Sequence, residues 1–196
     1  MARLEENVGV MSDYLAAKQR EFDEVMDLSR RIIRGTGKLI THLHNGMARQ
    51  AGVELDEVGG LVAQMRKRDQ AFRYSTMQAY QEFAEAKIFH SIKAGGRIPS
   101  DNEVGVDPEA YLMGLMDVVG ELKREVLEAL RDGDTAGADR YFGIMRDIYD
   151  STRSVRFAEA VLPGFRKKQD VARIQLENAG SEILSSGAGR RKGKKK

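Results

Sequence analysis

Proline occurs at three positions only, Pro99, Pro108 and Pro163. A proline inside a helix removes one backbone donor and clashes with the preceding turn, so its position limits where helices can run. Here the prolines leave long stretches filled with good helix formers: Ala, Leu, Glu, Lys, Arg, Gln and Met. No stretch keeps the alternating polar and apolar pattern of a half-buried strand. The chain is therefore expected to be all-α.

Helical spacing places a first long helix from about Ser12, a candidate cap, to Gly46, with Val25, Leu28, Ile32, Leu39 and Leu43 on its apolar face. A glycine-containing loop is expected at "NGMARQAGVE". A second helix should run from about Asp56 to Ala94, weakened at Gly59-Gly60. The stretch "AGGRIPSDNEVGVDP" is dense in turn formers and reads as a loop. Asp107-Pro108 supplies an N-cap and an N1 proline for the next helix, which stops at "RDGD". One further helix is expected from Thr135 to Leu162 and a last one from Pro163 to about Ser185.

With 196 residues, 41% hydrophobic and 32% charged, the chain suits one globular domain rather than a disordered one. Residues 1–186 are expected to form that domain and residues 187–196 a basic, disordered tail. There is no cysteine, which excludes disulfides and thiolate metal sites. The start of the chain lacks the apolar run of a signal peptide, and no segment has the length and apolarity of a membrane span, so a cytoplasmic protein without a membrane partner is expected. The formal charge of +2 conceals an asymmetry. The tail "GRRKGKKK" carries six cations, leaving about −4 on the rest. Such a tail either keeps the chain soluble or attracts phosphate.

The stretch "AYQEFAEAKIF" looks like a buried helical segment, yet it holds Glu82 and Glu85. Residues three apart on a helix project only about 60° from each other, so both carboxylates share one face. Asp117 and Glu121, in "LMDVVGEL", are four apart and share a face as well. If the two helices pack together, four carboxylates converge. Close carboxylates repel, and burial worsens the repulsion. A divalent metal relieves it, and all-oxygen ligands suit Mg²⁺, or Mn²⁺ as the alternative. The plainer reading is that these acids face solvent or pair with Lys and Arg. Histidine is a weaker candidate: His42 and His44 point to different sides, and His90 follows Glu85 by five residues, not by the three of di-iron bundles. Basic residues form two clusters. Arg30, Arg34 and Lys38 recur every four residues beside Arg31, and Arg66, Lys67, Arg68 and Arg73 precede the Glu pair on the same expected helix. Each cluster is read either as a solvated face or as a phosphate contact.

The segments "LSRRII", "FRYSTMQAYQEFAEAKIFHSI", "DPEAYLMGLMDVVGELKREVLEAL", "GDTAGADRYFGIMRDIYD" and "GFRKKQDVARIQLENAGSEIL" together resemble the translin superfamily, on its translin-associated factor X (TRAX) branch. The match is one of composition and order over about Phe22 to Ser185, with "QEFAEA" the most specific piece. The resemblance implies an all-α fold of about seven helices that assembles into a closed, octameric shell. It also implies a Mg²⁺-dependent endoribonuclease whose catalytic acids fall on Glu82, Glu85 and Asp117, with Glu121 a supporting metal ligand. Translin subunits keep apolar residues where this chain has acids; the basic tail is not a family element. RNA, single-stranded or short duplex, is the expected partner, held by Arg30, Arg34, Lys67, Arg68 and Arg73. The oligomer is expected to be a homo-octamer, or a hetero-oligomer with a translin-like subunit. The alternative function is a non-catalytic, translin-like shell that binds single-stranded nucleic acid.

Overall fold

A computed structural model describes the backbone of residues 2–193 and the side chains of residues 3–186. Among the described residues it contains seven α-helices and no strand: α1 (Ala2–His44), α2 (Ala48–Arg66), α3 (Arg73–Lys93), α4 (Asp101–Val104), α5 (Pro108–Asp132), α6 (Thr135–Thr152) and α7 (Phe165–Gly193). The all-α expectation holds. The expected basic tail falls on residues whose side chains are not described, and residues 194–196 lie outside the description altogether.

The bundle is built around α3 and α5. Helix α1 packs on α2 and α3, α3 on α5, and α5 on α6 and α7. Residues Val25, Leu28, Ile32, Leu39 and Leu43 are all buried, as their helical spacing predicts. They meet Phe83, Ile88, Phe89 and Ile92 of α3 and Val118, Val119, Leu122 and Val126 of α5 within one core. Two glycines permit close helix approach. A methyl group on Gly35 would stand 2.4 Å from Val58 Cγ2, so α1 and α2 meet there. One on Gly114 would stand 2.6 Å from the carbonyl oxygen of Gln81 and 2.9 Å from the Glu85 nitrogen, so the α5 backbone rests almost directly on α3.

Several boundaries depart from those expected. Helix α1 begins at Ala2, so Ser12 lies inside it rather than capping it. Every residue from 3 to 21 is exposed, including Leu4, Val8, Met11 and Leu15. The loop after α1 is short, and Gly59-Gly60 falls inside α2. The expected single helix from Asp56 to Ala94 is two, broken between Arg66 and Arg73 by a 3₁₀ turn at Gln70–Phe72. Asp69 explains the break. Its fully buried carboxylate accepts hydrogen bonds from Thr76 (2.9 Å) and Tyr80 (2.8 Å), which draws the chain inward between the helices. As a consequence Arg66 ends α2, and Lys67 and Arg68 lie in the connection rather than on the helix of the Glu pair. Asp107 and Pro108 do stand at the start of α5, but the Asp107 side chain caps no amide and pairs with Arg66 and Arg73 instead; Gly133, at φ 81°, ends the helix. The expected loop before α5 holds the short helix α4, opened by a capping box in which Ser100 and Glu103 satisfy each other's backbone amides. Helix α6 stops at Thr152, well short of Leu162. The Thr152 hydroxyl donates back to the carbonyls of Ile148 (2.9 Å) and Tyr149 (3.0 Å), a local bond that competes with helix continuation.

Candidate functional site

Glu82 and Glu85 lie at the middle of α3, where Gly114 lets α5 approach. Asp117 and Glu121 follow Gly114 by one and two turns and so come off α5 beside the same stretch of α3. Glu85 is 7% exposed. Burial, then the charges of Asp117, Glu82 and Glu121, push its carboxyl up to about 9, with Lys168 opposing. Glu82 is half-buried, and its carboxyl is raised by the same burial and by Asp117, again with Lys168 opposing. The two expected pairs are therefore electrostatically one cluster, and α7 contributes a cation to it.

The contacts within the cluster are specific. Asp117 accepts from the Gln81 side-chain amide at 2.7 Å through one oxygen, and Lys168 Nζ donates to the other. Glu121 accepts from His44 Nε2 at 2.5 Å. His44 Nδ1 donates to Glu125 at 2.8 Å, and the other oxygen of Glu125 accepts from Lys93 at 2.5 Å. Burial alone would lower the His44 pKa, but the hydrogen bonds to Glu121 and Glu125 outweigh it and raise it to about 9. His44 is therefore an imidazolium at neutral pH, donating from both nitrogens. The sequence alone singled out the four carboxylates, set His44 aside, and gave no sign of Gln81 or Lys168.

The donor set is chemically suited to a hard divalent cation: four carboxylates, no sulfur, and one of them held protonated for want of a counter-charge. Their oxygens are not drawn into one ligand sphere, however. Among the described residues, three candidate ligand atoms lie within 4.8 Å of one another at His44, Glu125 and Glu128, a cluster spaced so that it could hold a metal ion. Its own chemistry favours an ion network, since His44 is protonated, Lys93 is bound to Glu125, and Arg124 donates to Glu128 at 3.2 Å. Around Asp117, Lys168 takes the role of counter-cation. A cavity of about 400 Å³ opens beside it, lined by Met113, Met116, Asp117, Lys167, Lys168 and Gln175.

The basic residues expected to hold RNA are dispersed. Arg30 pairs with Asp27 at 3.6 Å, Arg68 with Glu24 at 2.6 Å, and Arg73 with Asp107. Arg34 and Lys67 are exposed. Arg73 starts the helix of the Glu pair; the others stand on α1 or in the α2–α3 connection. Among the described residues no helix is long and apolar enough to cross a membrane.

Residues 20–179 match the Translin family. A curated relative, the uncharacterized protein MJ0175 of Methanocaldococcus jannaschii, is 31% identical over 186 residues, covering 92% of this chain and 82% of the relative. Among solved structures, AfC3PO superposes with a TM-score of 0.80 at 30% identity, over 96% of this chain and 98% of that one. AfC3PO in complex with duplex RNA gives a TM-score of 0.82 at 28% identity, with the same coverage. Apo-NeC3PO shares the fold, with a TM-score of 0.84 at 21% identity, over 92% of this chain and 97% of that one.

Proposed function

Since this chain belongs to the Translin family, we propose that it is a TRAX-like, Mg²⁺-dependent endoribonuclease that works inside a closed oligomeric shell. The observation that carries the proposal is the carboxylate cluster at the α3–α5 crossing, with Glu85 buried and Glu82, Asp117 and Glu121 partly exposed. Among the described residues Glu85 accepts no side-chain hydrogen bond and forms no ion pair, the charge of Lys168 only partly offsets its neighbours, and its carboxyl stands near 9. An arrangement that leaves a carboxyl uncompensated in the core is unfavourable for folding and points to a ligand that supplies the missing charge. The solved complex of AfC3PO with duplex RNA supports RNA as the substrate class.

In this reading Glu82, Glu85 and Asp117 would hold the metal, and Glu121, fixed by His44, would stand beside it. A bound Mg²⁺ supplies an activated water and neutralises charge on the scissile phosphate. Glu85 would release its proton when the cation arrives. Lys168 would leave Asp117 and turn toward a phosphate oxygen, with Lys167 next to it on the cavity wall. Hydrolysis would leave 5′-phosphate and 3′-hydroxyl ends. The exposed stripe of Leu4, Val8, Met11 and Leu15 on α1 supports assembly, since its spacing is that of a helix seam awaiting a partner. We expect a homo-octamer, or a hetero-oligomer with a translin-like subunit.

The test is cleavage of labelled RNA with Mg²⁺ and with EDTA, by wild type and by Glu82→Gln, Glu85→Gln and Asp117→Asn. Each substitution should abolish Mg²⁺-dependent cleavage while the helical spectrum and the oligomer mass stay unchanged. Wild-type rates in the double Glu variant would refute the site. A second reading, a non-catalytic nucleic-acid-binding shell, is favoured by one observation: Lys168 already neutralises Asp117. It predicts RNA retention in a gel shift with no cleavage under any metal.

A further inference from the structure

At the end of α6 and the start of α7 lies a second cavity, of about 260 Å³, lined by Tyr149, Arg153, Arg156, Arg166, Gln169 and Asp170. Three guanidiniums meet here with one carboxylate, Asp170, in the wall. Of the three, Arg153 has a loose, exposed partner in Asp150 at 4.0 Å. Arg166 makes no ion pair among the described residues. Among the described residues Arg156 pairs with no acid; its Nη1 donates to the Val155 carbonyl at 2.8 Å and to the Gln169 side-chain oxygen at 2.7 Å. Gln169 is 6% exposed, and its amide donates to the Thr152 carbonyl at 2.7 Å. A buried side chain, itself anchored to the end of α6, thus orients a guanidinium at the cavity. The first turns of the long helix α7 line the same wall, which brings its positive end near the site.

We propose that this cavity binds a phosphoryl group, carried by an RNA backbone or by a small phosphate compound. Guanidinium forks match phosphate oxygens in pairs, and fixing one of them in advance lowers the entropy lost on binding. Water occupies roughly 30 Å³ in the liquid, so the cavity has room for a phosphoryl group with part of its hydration. The site is separate from the acid cluster. Arg166 and Lys168 are two residues apart on α7 and so project about 200° from each other. Lys168 reaches Asp117, hence the arginine cavity opens on the other side of the helix. The inference rests on these arginines alone and stands whether or not the acid cluster cleaves RNA.

The experiment uses the full chain in EDTA, with Arg156→Gln/Arg166→Gln as the variant and Arg131→Gln as a control. Both target arginines are exposed, but Arg156 also bonds the buried Gln169, so the helical spectrum and urea midpoint of the double variant are compared with wild type, and Arg166→Gln alone, which leaves that bond intact, is run beside it; Arg131 is likewise exposed, on α5 next to Asp132. Inorganic phosphate is titrated by calorimetry, and labelled single-stranded and duplex RNA are bound across a salt series. Each phosphate contact contributes about 0.7–0.9 to the slope of log affinity against log salt. The double variant should lose phosphate binding and lower the RNA slope by about 1–2, while the control leaves both unchanged. Loss in both assays assigns the site to the RNA backbone; loss of phosphate binding alone assigns it to a small phosphate compound. Unchanged phosphate binding and an unchanged RNA slope in the double variant would overturn the proposal. So would an equal loss in Arg131→Gln, which would show diffuse surface charge instead of a site.

Discussion

Replacing Glu85 by Gln should stabilise the metal-free protein, and increasingly so as pH rises. A free glutamate carboxyl titrates near 4.5, whereas burial and the three neighbouring acids push folded Glu85 up to about 9. Between those values the folded chain retains a proton that the unfolded chain has released. Stability then falls with rising pH, by about 1.4 kcal/mol per pH unit for one such group. From pH 5.5 to 7.5 the wild type should lose about 3 kcal/mol that the glutamine variant, which does not titrate, keeps. A buried amide short of hydrogen bonds costs about 1–3 kcal/mol, but that cost is constant with pH. The change in the difference is therefore the quantity to measure. For a chain of this length, 1 kcal/mol moves Tm by about 2–4 °C, so the gap should shift by about 6–12 °C in favour of the variant. Scanning fluorimetry of both proteins in EDTA at pH 5.5, 6.5 and 7.5 measures it. Parallel profiles would mean that folded Glu85 is already ionised, and the argument that its site awaits a cation would fail.

Lys168→Met should tighten Mn²⁺ binding, measured by paramagnetic resonance, by about tenfold, since about 1.4 kcal/mol of competition is removed; unchanged binding would show that Lys168 does not occupy the cation's place. Gly114→Ala forces a methyl group against the Gln81 carbonyl and the Glu85 nitrogen. Overpacking of about 1–3 kcal/mol less about 1 kcal/mol of helix propensity leaves a net cost of up to about 2 kcal/mol, so Tm should fall by up to about 8 °C, and a Tm above wild type would sink the close-crossing argument. The His44 pKa is raised from 6.5 to about 9, so its stabilising contribution is fully present below 6.5 and is lost as pH rises through 9. Urea midpoints of wild type and His44→Gln should accordingly differ most at pH 6, by at most about 3 kcal/mol, and converge by pH 9.5; a constant gap would contradict the imidazolium assignment.

The sequence showed most plainly what helical periodicity controls. The apolar stripe Val25, Leu28, Ile32, Leu39 and Leu43 is buried as its spacing requires, and Asp107-Pro108 and Gly133 mark both ends of α5. The failures have tertiary causes. The gap between α2 and α3 depends on Asp69 finding Thr76 and Tyr80, and "RKRDQ" carries no proline or glycine to announce it. The site divides along the same line. Spacings of three and four put the carboxylates on shared faces, and those spacings are local. Gln81, Lys168 and His44 reach the acids across separations of 36, 51 and 77 residues, which no local pattern encodes.

Glu125 and Glu85 stand in opposite electrostatic settings. Both are largely buried carboxylates on the packed pair α3 and α5. Burial would raise the Glu125 carboxyl, but hydrogen bonds from His44 and Lys93 more than offset it and hold the group below its ordinary value. Glu85 meets like charges, and Lys168, the cation that acts on it, donates to Asp117 instead. One end of the helix pair thus has its charges matched, and the other, about two turns along, does not. Selection for stability alone would match both, because a hydrophobic residue or a second lysine at position 85 would remove the conflict. Elements whose local choices disagree with the fold are where a ligand completes the balance. On this ground, rather than on family membership, the unmatched Glu82 and Glu85, with the Lys168-paired Asp117 beside them, are the part of the molecule to test first for metal.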